Sequence, residues 1–324
     1  MLQRILVALD GSQLAEQALA CAERLAAASS AQLILLRVVP FDIIQPPEDD
    51  FALADESRAY LRRTAGDLTA RGLAVKAITK WGHPDKCILE ELATRRAGLV
   101  VMGTHGRSAP GRWLYGSVAD AVLRASPVPV IVVPPPASVP SRLERILVAL
   151  DGSALSEASL PSAIELAAAC AAELVLLAVV PMPPYALYDE GAALAAFDPG
   201  KEIDESEAYL NTVAKRLRKL GIYARTRVEL AKPEVSIAGV AAQEKAGLIA
   251  MATHGRSGLA RLVLGSVATG TLQRSSVPVL FVGPAALNIH DDQHQLVSAA
   301  GTPGRRSCDA DVFYDHDSAG SDAG

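Results

Sequence analysis

The sequence predicts an α/β fold: two tandem Rossmann-like domains, each a five-stranded parallel sheet with helices on both faces. Three observations lead there. The nine residues Arg4-Ile5-Leu6-Val7-Ala8-Leu9-Asp10-Gly11-Ser12 recur unchanged at 145–153. Short continuous runs of Val, Leu and Ile alternate with longer segments whose apolar residues fall at helical spacing, the pattern of a parallel sheet wound on both faces. A chain of 324 residues is long enough for two domains that each bury a core.

The repeat sets the boundaries. Its opening runs lie 141 positions apart, whereas Thr104-His105-Gly106-Arg107-Ser108 and Gly116-Ser117-Val118-Ala119 recur 149 positions on, at Thr253 and Gly265. Pro40 and Pro181 still keep the first offset, and Tyr60 and Tyr209 already keep the second. The eight extra residues therefore fall in one loop of the second copy, between Pro181 and about Glu205, as surface loops tolerate. The expected domains are 1–136 and 143–284. The spacer 137–142 closes a Pro-rich stretch that cannot enter a sheet interior. Residues 285–324 are polar, rich in Asp, Gly and Ser, and are expected to be a disordered tail.

Within the first copy, Ile5 to Leu9 reads as a strand buried on both faces, ending in Asp10-Gly11-Ser12. Ser12 caps a helix that aligns Leu14, Ala18, Cys21 and Leu25 on one face. The second strand is Leu33 to Val39, followed by a long loop and a helix through Tyr60 and Leu61. A third strand spans Val75 to Thr79, and a helix follows Pro84, a residue suited to a first helical turn. Leu99 to Met102 is the fourth strand and ends at Gly103. The last helix runs from Ser117 to Ala125, Pro127 ends it, and Val128 to Val133 is the final strand.

Composition narrows the function. With 50% hydrophobic and 21% charged residues the chain is ordinary for a soluble globular protein, and 4% aromatics leave the cores to aliphatic side chains. A net charge of -5 lacks the cationic field that a general nucleic-acid surface needs. The N-terminal apolar run is too short for a secretory leader, and no stretch reaches membrane-spanning length. Cys21, Cys87, Cys170 and Cys308 show no CxxC spacing and fit reduced thiols. A cytoplasmic protein with no nucleic-acid and no membrane partner is expected.

The chemistry gathers at the end of the fourth strand. Gly103-Thr104-His105-Gly106, nine residues, then Gly116-Ser117 opening a helix make G-x2-G-x9-G-S. Gly103 and Gly106 lack Cβ atoms, so their amides can approach anionic oxygens. Gly116 and Ser117 stand at a helix N-terminus, where unpaired N–H groups and the macrodipole attract negative charge. Asp10, at a strand tip, is open to binding a ribose hydroxyl or a Mg2+ ion on the phosphates, or to capping its own loop.

These motifs, with the Pro-Val-Pro-Val-Ile-Val-Val ending at 127–133, resemble the universal stress protein family over about residues 1–136 and 143–284. The resemblance implies the adenine nucleotide alpha hydrolase-like version of the fold and binding of ATP with Mg2+. It implies that Gly103, Gly106, Gly116 and Ser117 hold phosphates, with Arg107 and Val118 beside them, Asp10 near ribose and metal, and the backbone of Val38 against adenine. It also implies that last strands pair, here between the two repeats of one chain, with a homodimer as a further expectation. The second set is Asp151, Val179, Ala252, Gly255, Arg256, Gly265, Ser266 and Val267. There Ala252 replaces the first motif glycine, while the first copy carries Ala109-Pro110 where the second has Gly258-Leu259.

Plainer readings stand beside these. His105 and His254 keep no fixed spacing to a Ser, Cys or second carboxylate, which favours a loop hydrogen-bonding role over catalysis. Arg107 and Arg256 are open between phosphate contact and solvation. Trp81 and Trp113 read as packing residues; in the tail, His290 and His294 flank Asp291-Asp292 at a spacing that could bind a metal, a reading disfavoured in a disordered segment without cysteine partners. Three functions compete: an ATP-binding stress-response regulator, a slow ATPase or nucleotidyl-transfer enzyme, and a scaffold without nucleotide. No G-x4-G-K-[ST] loop, no H-x-G-H pattern and no water-positioning base appear, so the binding protein leads.

Overall fold

The computed structural model describes residues 2–40, 48–104, 116–135, 137, 139–182, 197–253 and 264–286. The first repeat runs β1 (Arg4–Ala8), α1 (Gln13–Ser29), β2 (Gln32–Val39), α2 (Glu48–Ala70), β3 (Val75–Trp81), α3 (Pro84–Arg95), β4 (Leu99–Gly103), α4 (Ser117–Ala125) and β5 (Val130–Val133). The second runs β6 (Arg145–Ala149), α5 (Ala154–Glu157), α6 (Leu160–Cys170), β7 (Glu173–Val180), α7 (Pro199–Lys219), β8 (Ala224–Leu230), α8 (Pro233–Gln243), β9 (Leu248–Ala252), α9 (Ser266–Arg274) and β10 (Val279–Val282).

Each repeat forms five parallel strands, and the two halves join into one ten-stranded sheet of order β3-β2-β1-β4-β5-β10-β9-β6-β7-β8. The join is the antiparallel pair β5–β10, with Val132 opposite Val279, Ile131 opposite Leu280 and Val130 opposite Phe281. The expected pairing of last strands thus occurs within one chain. Strand residues alternate between two apolar layers. One face carries Ile5, Val7, Leu33 and Leu35 under α1 and α2; the other carries Leu6, Ile34, Leu36 and Val100 under α3 and α4. The second repeat does the same, which explains why the strand sequences are apolar throughout.

Beyond shifts of one or two residues, as where β3 runs on to Trp81, three departures from the expected boundaries have a local reason. The final strand starts at Val130, not Val128, because the Ser126 hydroxyl donates to the Val128 carbonyl (2.6 Å) and accepts from its amide (3.2 Å). That turn holds 126–128 out of the ladder; Ser275 and Val277 repeat it before β10. The first helix of the second repeat is broken: Pro161 has no N–H to offer the Glu157 carbonyl, so α5 and α6 are separate where α1 is continuous. The inserted loop ends earlier than Glu205, since Asp198 already caps α7 by accepting from the Gly200 and Lys201 amides. Ala286 is still buried, and 287–324, including His290 and His294, lie outside the described residues. Among those described, no helix is long and apolar enough to cross a membrane.

Candidate functional site

Strand order reverses between β1 and β4, and between β6 and β9, so each repeat has a crevice at the carboxyl ends of these strands. The chain leaves β1 and β6 through the Asp-Gly-Ser turn. Gly11 (φ 79°) and Gly152 (φ 82°) take the left-handed conformation that favours glycine. Asp10 Oδ1 accepts from the Ser12 amide at 3.0 Å; Asp151 Oδ1 accepts from the Ser153 amide (2.9 Å) and hydroxyl (2.6 Å). Ser12 and Ser153 in turn cap α1 and α5 by accepting from the Ala15 and Ser156 amides. Both aspartates therefore act as loop caps, and the same bonds fix their carboxylates at the rim of the crevice.

Val38 and Val179 stand where the neighbouring strand has ended. The Leu9 amide donates to Leu36 and the Leu150 amide to Leu177, both at 2.8 Å, as the last bonds of the β1–β2 and β6–β7 ladders. Alternate residues of a strand turn their backbone groups to the same side. Two residues further on, the N–H and C=O of Val38 and Val179 point the same way, past the end of β1 and β6. A planar ligand edge with one donor and one acceptor fits that backbone pair.

Gly103 has another reason than the one expected. A Cβ there would lie 2.9 Å from Leu14 Cγ and 3.2 Å from its Cδ2, so the missing side chain makes room for the first turn of α1. Close packing is thus a second reason for glycine here, beside the expected approach of its amide to an anion. Ala252, its counterpart at the end of β9, is buried, and the separate short helix α5 packs against that strand.

Gly116 and Gly265 are the N-caps of α4 and α9, in extended conformations that any residue adopts. Their own amides are used, donating to Thr104 (2.6 Å) and Thr253 (2.9 Å), which corrects the view of Gly116 as a free donor. Among the described residues no side chain caps either helix, so the first-turn amides from Ser117 and Val118, and from Ser266 and Val267, stand at the crevice mouth as its anion-attracting group. Both serines are exposed. His105, Gly106, Arg107, Ala109, Pro110 and Trp113, like His254, Gly255, Arg256, Gly258 and Leu259, lie outside the described residues.

In the second repeat these elements enclose a cavity of about 510 Å3, within the range of small-molecule sites. Asp151, Val179, Ala252, Gly265, Ser266 and Val267 all line it, which brings together every described member of the expected second set. One further wall comes from α7 through Glu202, Glu205, Ser206 and Tyr209, and another from Pro233 and Ile237 of α8. The Tyr209 hydroxyl donates to Glu157 at 3.1 Å; burial and that carboxylate push its pKa above the usual phenol value. These α7 residues were missed in the sequence. The signal was present, because Asp204-Glu205-Ser206-x-Ala208-Tyr209-Leu210 repeats Asp55-Glu56-Ser57-x-Ala59-Tyr60-Leu61.

Comparison with known proteins agrees with this architecture. The family model described as Universal stress protein family matches residues 1–134 and again 142–283. The chain belongs to the universal stress protein family. A universal stress protein of Mycolicibacterium smegmatis is 27% identical over 298 residues, 86% of this chain and 97% of that protein. One from Methanocaldococcus jannaschii is 33% identical over 140 residues, 43% of this chain and 81% of that protein. The crystal structure of a universal stress protein from Archaeoglobus fulgidus superposes with a TM-score of 0.68 at 22% identity, covering 87% of this chain and 99% of that one. That likeness is one of fold, and it extends over both universal stress protein repeats.

Proposed function

We propose that this tandem universal stress protein is a cytoplasmic regulator that binds ATP with Mg2+, and that it works by binding rather than turnover. The observation that carries this reading is the second-repeat cavity, whose lining contains all six described residues of the expected nucleotide set. In this reading adenine meets the backbone of Val179, Asp151 holds the ribose, and the phosphates lie at the N-terminus of α9 with Gly265, Ser266 and Val267. Gly255 and Arg256, outside the described residues, join this set through the family resemblance alone. Asp10, Val38, Gly116, Ser117 and Val118 are the counterparts in the first repeat, and Gly106 and Arg107 are added to them by the resemblance alone. Turnover would need a positioned nucleophile and neutralisation of the transferring group, whereas the residues assigned here hold and orient.

The residues fit Mg2+ only as part of the nucleotide. Among the described residues no cluster of three His, Cys, Asp or Glu forms a metal cage. Asp151, Glu202 and Glu205 nevertheless give the cavity wall an anionic character that a bare triphosphate would meet unfavourably. Mg2+ bound to ATP supplies the charge compensation. Titration calorimetry is therefore expected to show ATP binding that weakens about tenfold or more when EDTA removes Mg2+, the size of a 1.4 kcal/mol coupling. Gly265→Val keeps an allowed backbone but puts a branched side chain at the mouth of α9, and should abolish binding in the second repeat. Retained binding in Gly265→Val, or no binding of ATP·Mg2+ to the full chain, would overturn the assignment.

A further inference from the structure

β2 and β7 share one apolar pattern but differ at one telling place. Leu33-Ile34-Leu35-Leu36 and Leu174-Val175-Leu176-Leu177 are each followed by two valines, after Arg37 in the first repeat and Ala178 in the second. Ala178 lines the open cavity together with Glu205, Ser206 and Tyr209. The counterparts of those three are Glu56, Ser57 and Tyr60, and two of them hold Arg37. Its Nη2 lies 3.6 Å from Glu56 Oε1, and its guanidinium carbon sits 5.0 Å from the centre of the Tyr60 ring.

The Arg37 side chain is only 4% exposed. A guanidinium so deeply buried has to be paired, and here a carboxylate and an aromatic face receive it. Accessibility of the neighbouring serines follows the same division. Ser206 is half-buried in the cavity wall, whereas Ser57 is 1% exposed and its hydroxyl has no hydrogen-bond partner among the described residues. Arg37 thus stands, among these partners, at the first-repeat register position where the second repeat has only the Ala178 methyl beside its cavity.

We infer that Arg37 is a lock on the first repeat, so that one chain presents one open nucleotide site, in the second repeat, and one closed site. The nucleotide part rests on the function proposed above; the closure does not. The open site is then in the repeat whose motif carries Ala252, not in the one whose motif keeps Gly103. The motif residues stand at the phosphate end, while Arg37 acts at the end of β2, where the base would enter. It is a specificity-determining residue, not a catalytic one.

Two readouts test this, one of them free of ligand. With ATP·Mg2+ in titration calorimetry, the wild-type chain should bind one nucleotide, Arg37→Ala two, and Ala178→Arg none. Two equivalent sites in the wild type, or a stoichiometry still at one in Arg37→Ala, overturns the lock. Arg37→Ala merely installs the residue the second repeat already uses, so the fold has a precedent for it. For the ligand-free readout, Ser57→Cys and Ser206→Cys are treated with a maleimide and labelling is followed at the peptide level by mass spectrometry. Ser206→Cys should label readily and Ser57→Cys about tenfold more slowly or worse, as closed sites do. Adding Arg37→Ala should bring Ser57→Cys up to the Ser206→Cys rate, with the rate at Ser206→Cys unchanged. Equal labelling with Arg37 present, or continued protection without it, refutes the closure. If no variant binds nucleotide yet this labelling pattern holds, the nucleotide reading fails and the closure stands.

Discussion

At Gly103 a single hydrogen atom leaves the room that Leu14 fills, and this changes what the glycine motif means. An added Cβ would sit 2.9 Å from Leu14 Cγ, closer than such carbons come, so either the leucine or the strand must shift. Gly103→Ala is expected to cost about 1–3 kcal/mol in urea denaturation, the usual range for overpacking. In a Leu14→Ala background most of that cost should vanish, because the two positions are coupled through one contact. A full cost that persists without Leu14 would show that packing is not the reason. Spacing in the sequence marked Gly103 as a place of close approach. It could not show which neighbour comes close, since Leu14 lies far along the chain and meets Gly103 only when α1 folds over β4. The aspartates were more legible: Asp10-Gly11-Ser12 carries its own turn and cap within three residues, so both the capping role and the strand tip could be read directly. Arg37 was visible as a charge inside an apolar run, but its meaning needed Ala178 beside it.

Between elements, Glu91 ties α3 to β3. Its side chain is 3% exposed, with Oε1 2.9 Å from Lys80 Nζ and Oε2 2.9 Å from Arg95 Nε. Burial alone would raise its pKa, but the bonds from Lys80 and Arg95 outweigh it and hold the carboxyl below the usual carboxylate range. A group with a depressed folded pKa stabilises fully above its unfolded pKa and loses that contribution as the pH falls through the folded value. Glu91→Gln should therefore lose about 2 kcal/mol at pH 7, near the low end for a broken buried pair because both cations are about one-third exposed. The difference between wild type and variant, measured by denaturant melts, should shrink steadily from pH 5 to pH 3. A gap independent of pH would show that shape, not charge, is what Glu91 supplies. The element order was legible because apolar runs and capping residues are local signals. Departures arose where a short polar contact overrode the pattern, as at Ser126, or where one residue broke it, as at Pro161.

Across the whole molecule the two repeats are not two cores. Each apolar layer follows one face of the ten-stranded sheet and runs through both halves: Leu6, Val130, Val279 and Phe281 share one layer, and Ile5, Ile131, Leu280 and Ile146 the other. The four-residue runs of β5 and β10 signalled burial in the sequence, but nothing in them named the partner; that expectation came from the family resemblance. Because the seam makes the layers continuous, the repeats should unfold together. Calorimetry of the wild type is expected to give one transition whose calorimetric and van't Hoff enthalpies agree. Phe281, 1% exposed and opposite Val130 on the seam, is the place to weaken that link. Phe281→Ala should cost about 3–5 kcal/mol and split the transition, with the calorimetric enthalpy exceeding the van't Hoff value. Leu61→Ala is the control: equally buried but on α2, away from the seam, it should lower the midpoint of a transition that stays single. If both variants keep one transition, the continuity of the layers rather than the seam contact couples the halves. If the wild type itself shows two, the halves are independent despite their shared sheet.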